Sequence, residues 1–169
     1  MTKQNGWLGG ETQDAGSGDR QTRWLTPKYV VDALGSFDLD PCGAPGHELA
    51  KRTYLLENNE NGLTLPWVGR VWLNPPYGKE AAPFLHKMAA HGNGTALIFA
   101  RTETALFCET VWEKADSVFF LRGRLSFLDA AGVRAKANAG APSCLVSYSL
   151  NDTIMLDESG LPGKLVVLK

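Results

Sequence analysis

Paired cysteines, long apolar runs and a surplus of charge of either sign are all scarce in this chain. Its cysteines, Cys42, Cys108 and Cys144, form an odd and widely spaced set. They offer no disulfide framework and suit a reducing, cytoplasmic compartment. The histidines, His47, His86 and His91, do not fall at ligand spacing with those cysteines, so no metal is expected. No apolar run approaches the roughly 18 residues that a membrane span requires. The N-terminus is polar and glycine-rich rather than a signal peptide, so no membrane partner is expected. A net charge of −1 neither selects nor excludes nucleic acid. A dedicated DNA-binding module is usually more basic, but a local basic patch serves an enzyme that touches DNA transiently.

What is present fits a single globular domain. The chain has 169 residues, 44% hydrophobic and 21% charged, which is enough for one core but not two. Residues 1–22 are glycine-rich and without hydrophobic period, so they read as a flexible arm ahead of a domain over 23–169.

The most informative stretch is Val71-Trp72-Leu73-Asn74-Pro75-Pro76-Tyr77-Gly78. A short apolar run meets an amide, two prolines and an aromatic. A strand must stop there, because proline lacks an N–H and pushes the preceding residue out of the helical region. At the carboxyl edge of an α/β sheet, such a turn sits where ligands bind. The Asn74 side-chain oxygen and the Pro75 carbonyl can each accept a hydrogen from a planar amino group, and Tyr77 offers a face for the ring that carries it. Two acceptors on one exocyclic nitrogen draw its lone pair out of conjugation and make it a better nucleophile, without a general base. The plainer alternative is a proline turn that merely closes a strand.

Asn74-Pro75-Pro76-Tyr77 resembles the catalytic motif of S-adenosylmethionine-dependent amino-methyltransferases. The wider pattern resembles the phage-type DNA adenine-N6 methyltransferase (Dam) family. It runs through Trp24-x-Thr26-Pro27, Phe37-Asp38-Leu39-Asp40-Pro41-Cys42, Gly62-Leu63-x-x-x-Trp67, Arg101-Thr102-Glu103-Thr104 and Gly123-Arg124-Leu125-x-Phe127. The resemblance implies a Rossmann-like, three-layer α/β/α sandwich with a mostly parallel sheet and one antiparallel edge strand. It also implies methyl transfer from S-adenosylmethionine to a flipped adenine in double-stranded DNA, catalysed by Asn74, Pro75, Pro76 and Tyr77. The same motif serves enzymes that methylate RNA bases or protein glutamine. A catalytically silent DNA-binding protein on the same fold is a further alternative.

The remaining candidates take their places along the chain. Thr26-Pro27 starts a helix ending before Gly35, with Thr26 either as its cap or, with Pro27, beside the cofactor. Asp38 and Asp40 end a short strand before Pro41-Cys42-Gly43. A carboxylate there can accept from the ribose hydroxyls or ammonium of the cofactor, with Pro41, Cys42, Gly43 and Asn74 as further cofactor contacts, or can simply close an Asx turn. The resemblance puts a cofactor contact near Asn61, although relatives more often carry an aspartate there. Residues 80–91 read as a helix, 95–100 as a buried parallel strand, and 117–121 as the next strand. Thr102 is expected to cap the helix that carries Leu106 and Phe107. Arg101 either holds a phosphate or the cofactor carboxylate, or pairs with Glu103 or Glu109. Arg122, Arg124, Arg134 and Lys136 form the concentrated positive patch, read as contacts to DNA phosphates, with an ordinary solvated loop as the alternative. Residues 143–150 should pair with the preceding strand, and Ile154-Met155 with Leu165–Leu168 should form a terminal hairpin. A short recognition site and a monomer or weak dimer are expected.

Overall fold

The computed structural model describes residues 24–128, 133 and 139–169. The arm over 1–22, and with it Arg134 and Lys136 of the expected basic patch, lies outside the described residues.

Apolar runs set the strands. Val71–Leu73 (β3) and Gly94–Phe99 (β4) lie in the middle of a sheet and are buried along nearly their whole length. Strands covered on both faces show continuous apolar runs rather than alternation. Leu39–Asp40 (β1) and Arg52–Thr53 (β2) flank β3 on one side, while Ser117–Leu121 (β5), Ser143–Ser147 (β6) and Gly163–Val167 (β7) complete the other. The order is β2-β1-β3-β4-β6-β5-β7. The β2/β1, β1/β3 and β3/β4 pairs are parallel, with Leu39 opposite Val71 and Val71 opposite Gly94.

The sheet departs from the expected single antiparallel edge strand. β6 is antiparallel to both neighbours and sits inside the sheet between β4 and β5, and β7 is the antiparallel edge. A parallel return from β5 would need a crossover helix. An antiparallel return needs no such crossover, and β6 takes the place between β4 and β5. Pairing of residues 143–147 with β5 agrees with expectation.

Two apolar cores cover the two faces. Helix Ala81–His91 (α2) contributes Phe84, Leu85 and Met88 to one, where Ala105–Phe107 (α3) adds Phe107 against Val71, Leu73 and Ile98. Helix Lys28–Asp32 (α1) contributes Val30 and Val31 to the other, where Leu156 of Leu150–Glu158 (α4) packs with Trp72, Leu97 and Leu145.

Three local expectations change. The residue flanking α1 is Pro27, with no side-chain cap, and the Thr26 hydroxyl is buried without a hydrogen-bond partner. Thr104 rather than Thr102 caps α3, its Oγ1 accepting from the Phe107 N–H, because the chain turns once more after Arg101. Ile154 and Met155 lie in α4 rather than in a hairpin. Ser149 supplies the N-cap and β7 finds its partner in β5, so the chain between them is free to be helical. Among the described residues, no helix is long and apolar enough to cross a membrane.

Candidate active site

Parallel strands that end together leave a crevice at their carboxyl edge, and β1 and β3 end on Asp40 and Leu73. A cavity of about 330 Å³ opens there. Its lining includes Thr26, Asp40, Pro41, Cys42, Gly43, Asn61, Asn74, Pro75, Pro76 and Tyr77, so residues from four distant stretches of sequence meet.

Asn74 has a defined orientation. Its Nδ2 donates to the Trp24 carbonyl at 2.8 Å, and its Oδ1 is buried with no partner. Leaving a buried acceptor unmade costs roughly 1–3 kcal/mol, so this oxygen is held ready for a donor that the protein does not provide. The Trp24 segment is itself fixed: Leu25 and Leu128 exchange two backbone hydrogen bonds of 2.9 Å, and the His47 Nε2–H donates to the Thr26 carbonyl at 2.9 Å.

Tyr77 is half-buried and stacks on Phe99 with centroids 4.6 Å apart, while Phe127 meets it edge-on at 6.0 Å. Burial raises its hydroxyl well above the ordinary phenol value, so the ring stays neutral. One face is therefore backed by Phe99, which stiffens the ring as a platform.

Among the acids that line the cavity, Asp40 is the buried one. It is buried, and its Oδ1 accepts from the Cys42 N–H at 2.9 Å. Burial pushes its carboxyl up to about 7, against the pull of that N–H. Gly43 and Gly62 are glycines for reasons of space. A Cβ on Gly43 would stand 1.9 Å from Thr53 Cγ2, and one on Gly62 would stand 2.1 Å from the Pro41 carbonyl oxygen. The two loops thus close on each other around the cavity floor.

Not every expected residue gathers here. Asp38 is not among the lining residues; Lys51 Nζ at 2.8 Å and the Arg70 N–H at 2.9 Å occupy its carboxylate and hold it below the usual range. Pro27 is buried at the start of α1, outside the lining. Asn61 lines the rim, with its Oδ1 already accepting from the Leu63 N–H at 2.9 Å. Arg101 lies at a second cavity of about 420 Å³ across the Pro75–Tyr77 turn, lined mostly by apolar groups such as Leu85, Phe99 and Phe107. It is exposed and makes no ion pair among the described residues; Glu109 faces His86 at 3.7 Å instead. Arg122 and Arg124 are exposed, with Arg124 donating to the Ala139 carbonyl at 2.9 Å.

Sequence reasoning missed Trp72, His47 and Glu60 in the lining. Trp72 looked like one more apolar strand residue, and only its buried, unpartnered Nε1 marks it out. Glu60 pairs with Arg52 and accepts from the Leu55 N–H at 3.1 Å, which ties the rim to β2.

Residues 13–155 match the family described as DNA N-6-adenine-methyltransferase (Dam). The chain belongs to that family. The Dam match covers every element from Trp24 through most of α4, including both halves of the cavity. A DNA N-6-adenine-methyltransferase of Escherichia phage T1 is 28% identical, over 69% of this chain and 57% of the relative. The chain thus spans little more than half the length of that curated relative. No solved structure gives a significant match.

Proposed function

We propose that this protein is a DNA adenine-N6 methyltransferase that uses S-adenosylmethionine, built as a three-layer α/β/α methyltransferase and acting in the cytoplasm. One observation carries the reading: an amide oxygen, Asn74 Oδ1, is buried without a partner while its own nitrogen is clamped by the Trp24 carbonyl. That orientation suits acceptance from an exocyclic amino group and excludes the opposite amide orientation, which would set two oxygens against each other.

The residues around it fit the cofactor. Asp40 offers a carboxylate, Thr26 a buried hydroxyl without a partner, and Pro41, Cys42 and Gly43 a loop of small residues over which a ligand can lie. Asn61 and the Gly62 backbone form the far rim. When bound, S-adenosylmethionine supplies the methyl group. The chain itself positions the acceptor: Asn74 Oδ1 and the Pro75 carbonyl fix the amino group, and Tyr77, braced by Phe99, supports the ring. Holding reactants in near-attack geometry supplies much of the acceleration in such reactions. After transfer the nitrogen is strongly acidic and loses its proton to water.

An adenine inside a duplex cannot reach Asn74, so the base must flip out, at an unstacking cost of a few kcal/mol. Double-stranded DNA as the partner is supported by family membership and by exposed Arg101, Arg122 and Arg124 near the same sheet edge. Incubation with radiolabelled cofactor and duplex DNA, RNA or protein tests the proposal. Label should enter DNA as N6-methyladenine; label entering RNA or protein instead would overturn it.

A further inference from the structure

The conformation of β3 brings an unexpected donor to the wall of the cavity. Side chains alternate across a strand. Val71 and Leu73 pack into one core and Trp72 into the other, so Asn74 shares the Trp72 face. β1 follows the same rule: Leu39 belongs to the Val71 core and lies opposite Val71, which puts Asp40 beside Trp72 on the cavity side. Trp72 has no exposure at all and its Nε1–H has no hydrogen-bond partner, yet the residue lines the cavity. Buried indole N–H groups almost always find an acceptor. The Thr26 hydroxyl, also fully buried and unpartnered, lines the same cavity.

The charges around these donors narrow the ligand group. The lining carries Asp40, Glu60 and Glu80 but no lysine or arginine among the described residues. A cationic group finds Asp40. An anionic group on the same ligand finds no lysine or arginine in the lining; the donors nearest to hand are neutral, and the His47 Nε2–H is already engaged by the Thr26 carbonyl. Adjacent acceptor and donors of this kind complement a zwitterion, an ammonium next to a carboxylate. We infer that the Trp72 Nε1–H, together with the Thr26 hydroxyl, holds the carboxylate of the cofactor's amino-acid end, while Asp40 faces its ammonium. This inference rests on the cofactor reading above and adds Trp72 to the binding residues.

Two ligands separate the amino-acid end from the rest: S-adenosylhomocysteine carries it, and 5′-methylthioadenosine lacks it. Calorimetric titration of both into wild type, Trp72→Phe and Thr26→Val tests the assignment. Trp72→Phe keeps an aromatic ring and removes the N–H; Thr26→Val keeps the shape and removes the hydroxyl. Each variant should weaken S-adenosylhomocysteine about tenfold, the usual size of a lost hydrogen bond to a charged group, and leave 5′-methylthioadenosine unchanged. Equal weakening of both ligands would place the donors elsewhere on the cofactor and overturn the inference, as would no weakening of either. Should Trp72→Phe fail to fold by circular dichroism, Thr26→Val decides through the same ratio. If wild type binds neither ligand, the cofactor reading itself falls, a different result from a wild type that binds both.

Discussion

On the proposed function, a single amide directs the chemistry of this cavity. With Nδ2 tied to Trp24, Asn74 presents only an oxygen to a ligand. Asn74→Ala should lower turnover by roughly 10²–10³-fold, the scale seen when one preorganised hydrogen-bonding group is removed, while cofactor affinity holds. Single-turnover labelling beside equilibrium titration checks the split; a variant that keeps its rate would remove Asn74 from the chemistry. Asp40 sets a pH dependence with two opposite signs. Its folded carboxyl, raised to about 7 by burial, lies above the ordinary value near 4, so folding favours the protonated form. The stability it contributes is full below about 4 and is lost as pH rises through about 7. On the proposed function, cofactor binding uses the carboxylate and should strengthen over the same rise. Asp40→Asn should therefore raise the melting temperature at a pH of about 8, flatten its decline between about 4 and 7, and abolish cofactor binding. Melts and titrations across that range read both effects.

At the scale of elements, a buried ion pair holds the site's frame. Asp152 of α4, fully buried, accepts from Arg70 Nε at 2.8 Å, Thr95 Oγ1 at 2.9 Å and Ser149 Oγ at 2.5 Å. The Arg70 guanidinium donates to the Leu34 and Ser36 carbonyls at 2.7 and 3.2 Å and lies 4.1 Å over the Phe37 ring. One cluster thus joins the end of α1, the approach to β3, β4 and the start of α4. Asp152→Ala leaves Arg70 charged, largely buried and unpaired, and should cost about 3–5 kcal/mol in denaturant unfolding. Asp152→Asn keeps one acceptor oxygen, which can still serve Arg70 Nε and Thr95 Oγ1, and should cost less. A loss below about 1 kcal/mol for the alanine variant, the range of exposed pairs, would show that the cluster does not hold these elements together.

For the whole molecule, a net charge of −1 gives no general attraction to DNA, so the DNA association proposed above rests on a few cations. Arg101 and Arg122 are exposed and make no ion pair among the described residues. Replacing either with alanine should weaken DNA binding across sequences and reduce the salt slope by about 0.9 for each phosphate no longer neutralised, without changing cofactor affinity. Fluorescence anisotropy at several salt concentrations measures the slope; an unaltered slope would remove that residue from the DNA surface.

By itself the sequence determined the elements whose signals are local. The apolar run of β4, the helix over residues 81–91 and the abrupt stop after Leu73 follow from side-chain period and proline geometry. Only the tertiary structure decided what depends on residues distant in sequence. It wedged β6 between β4 and β5, drew Ile154 and Met155 into a helix, and withdrew Asp38 from the cavity by engaging Lys51 and Arg70. It also gave Trp72 an unpartnered N–H on the same face as Asn74. The physical reason is common to all four: periodicity reports which face a residue takes, whereas the partners that satisfy or strand a polar group arrive from elsewhere in the chain.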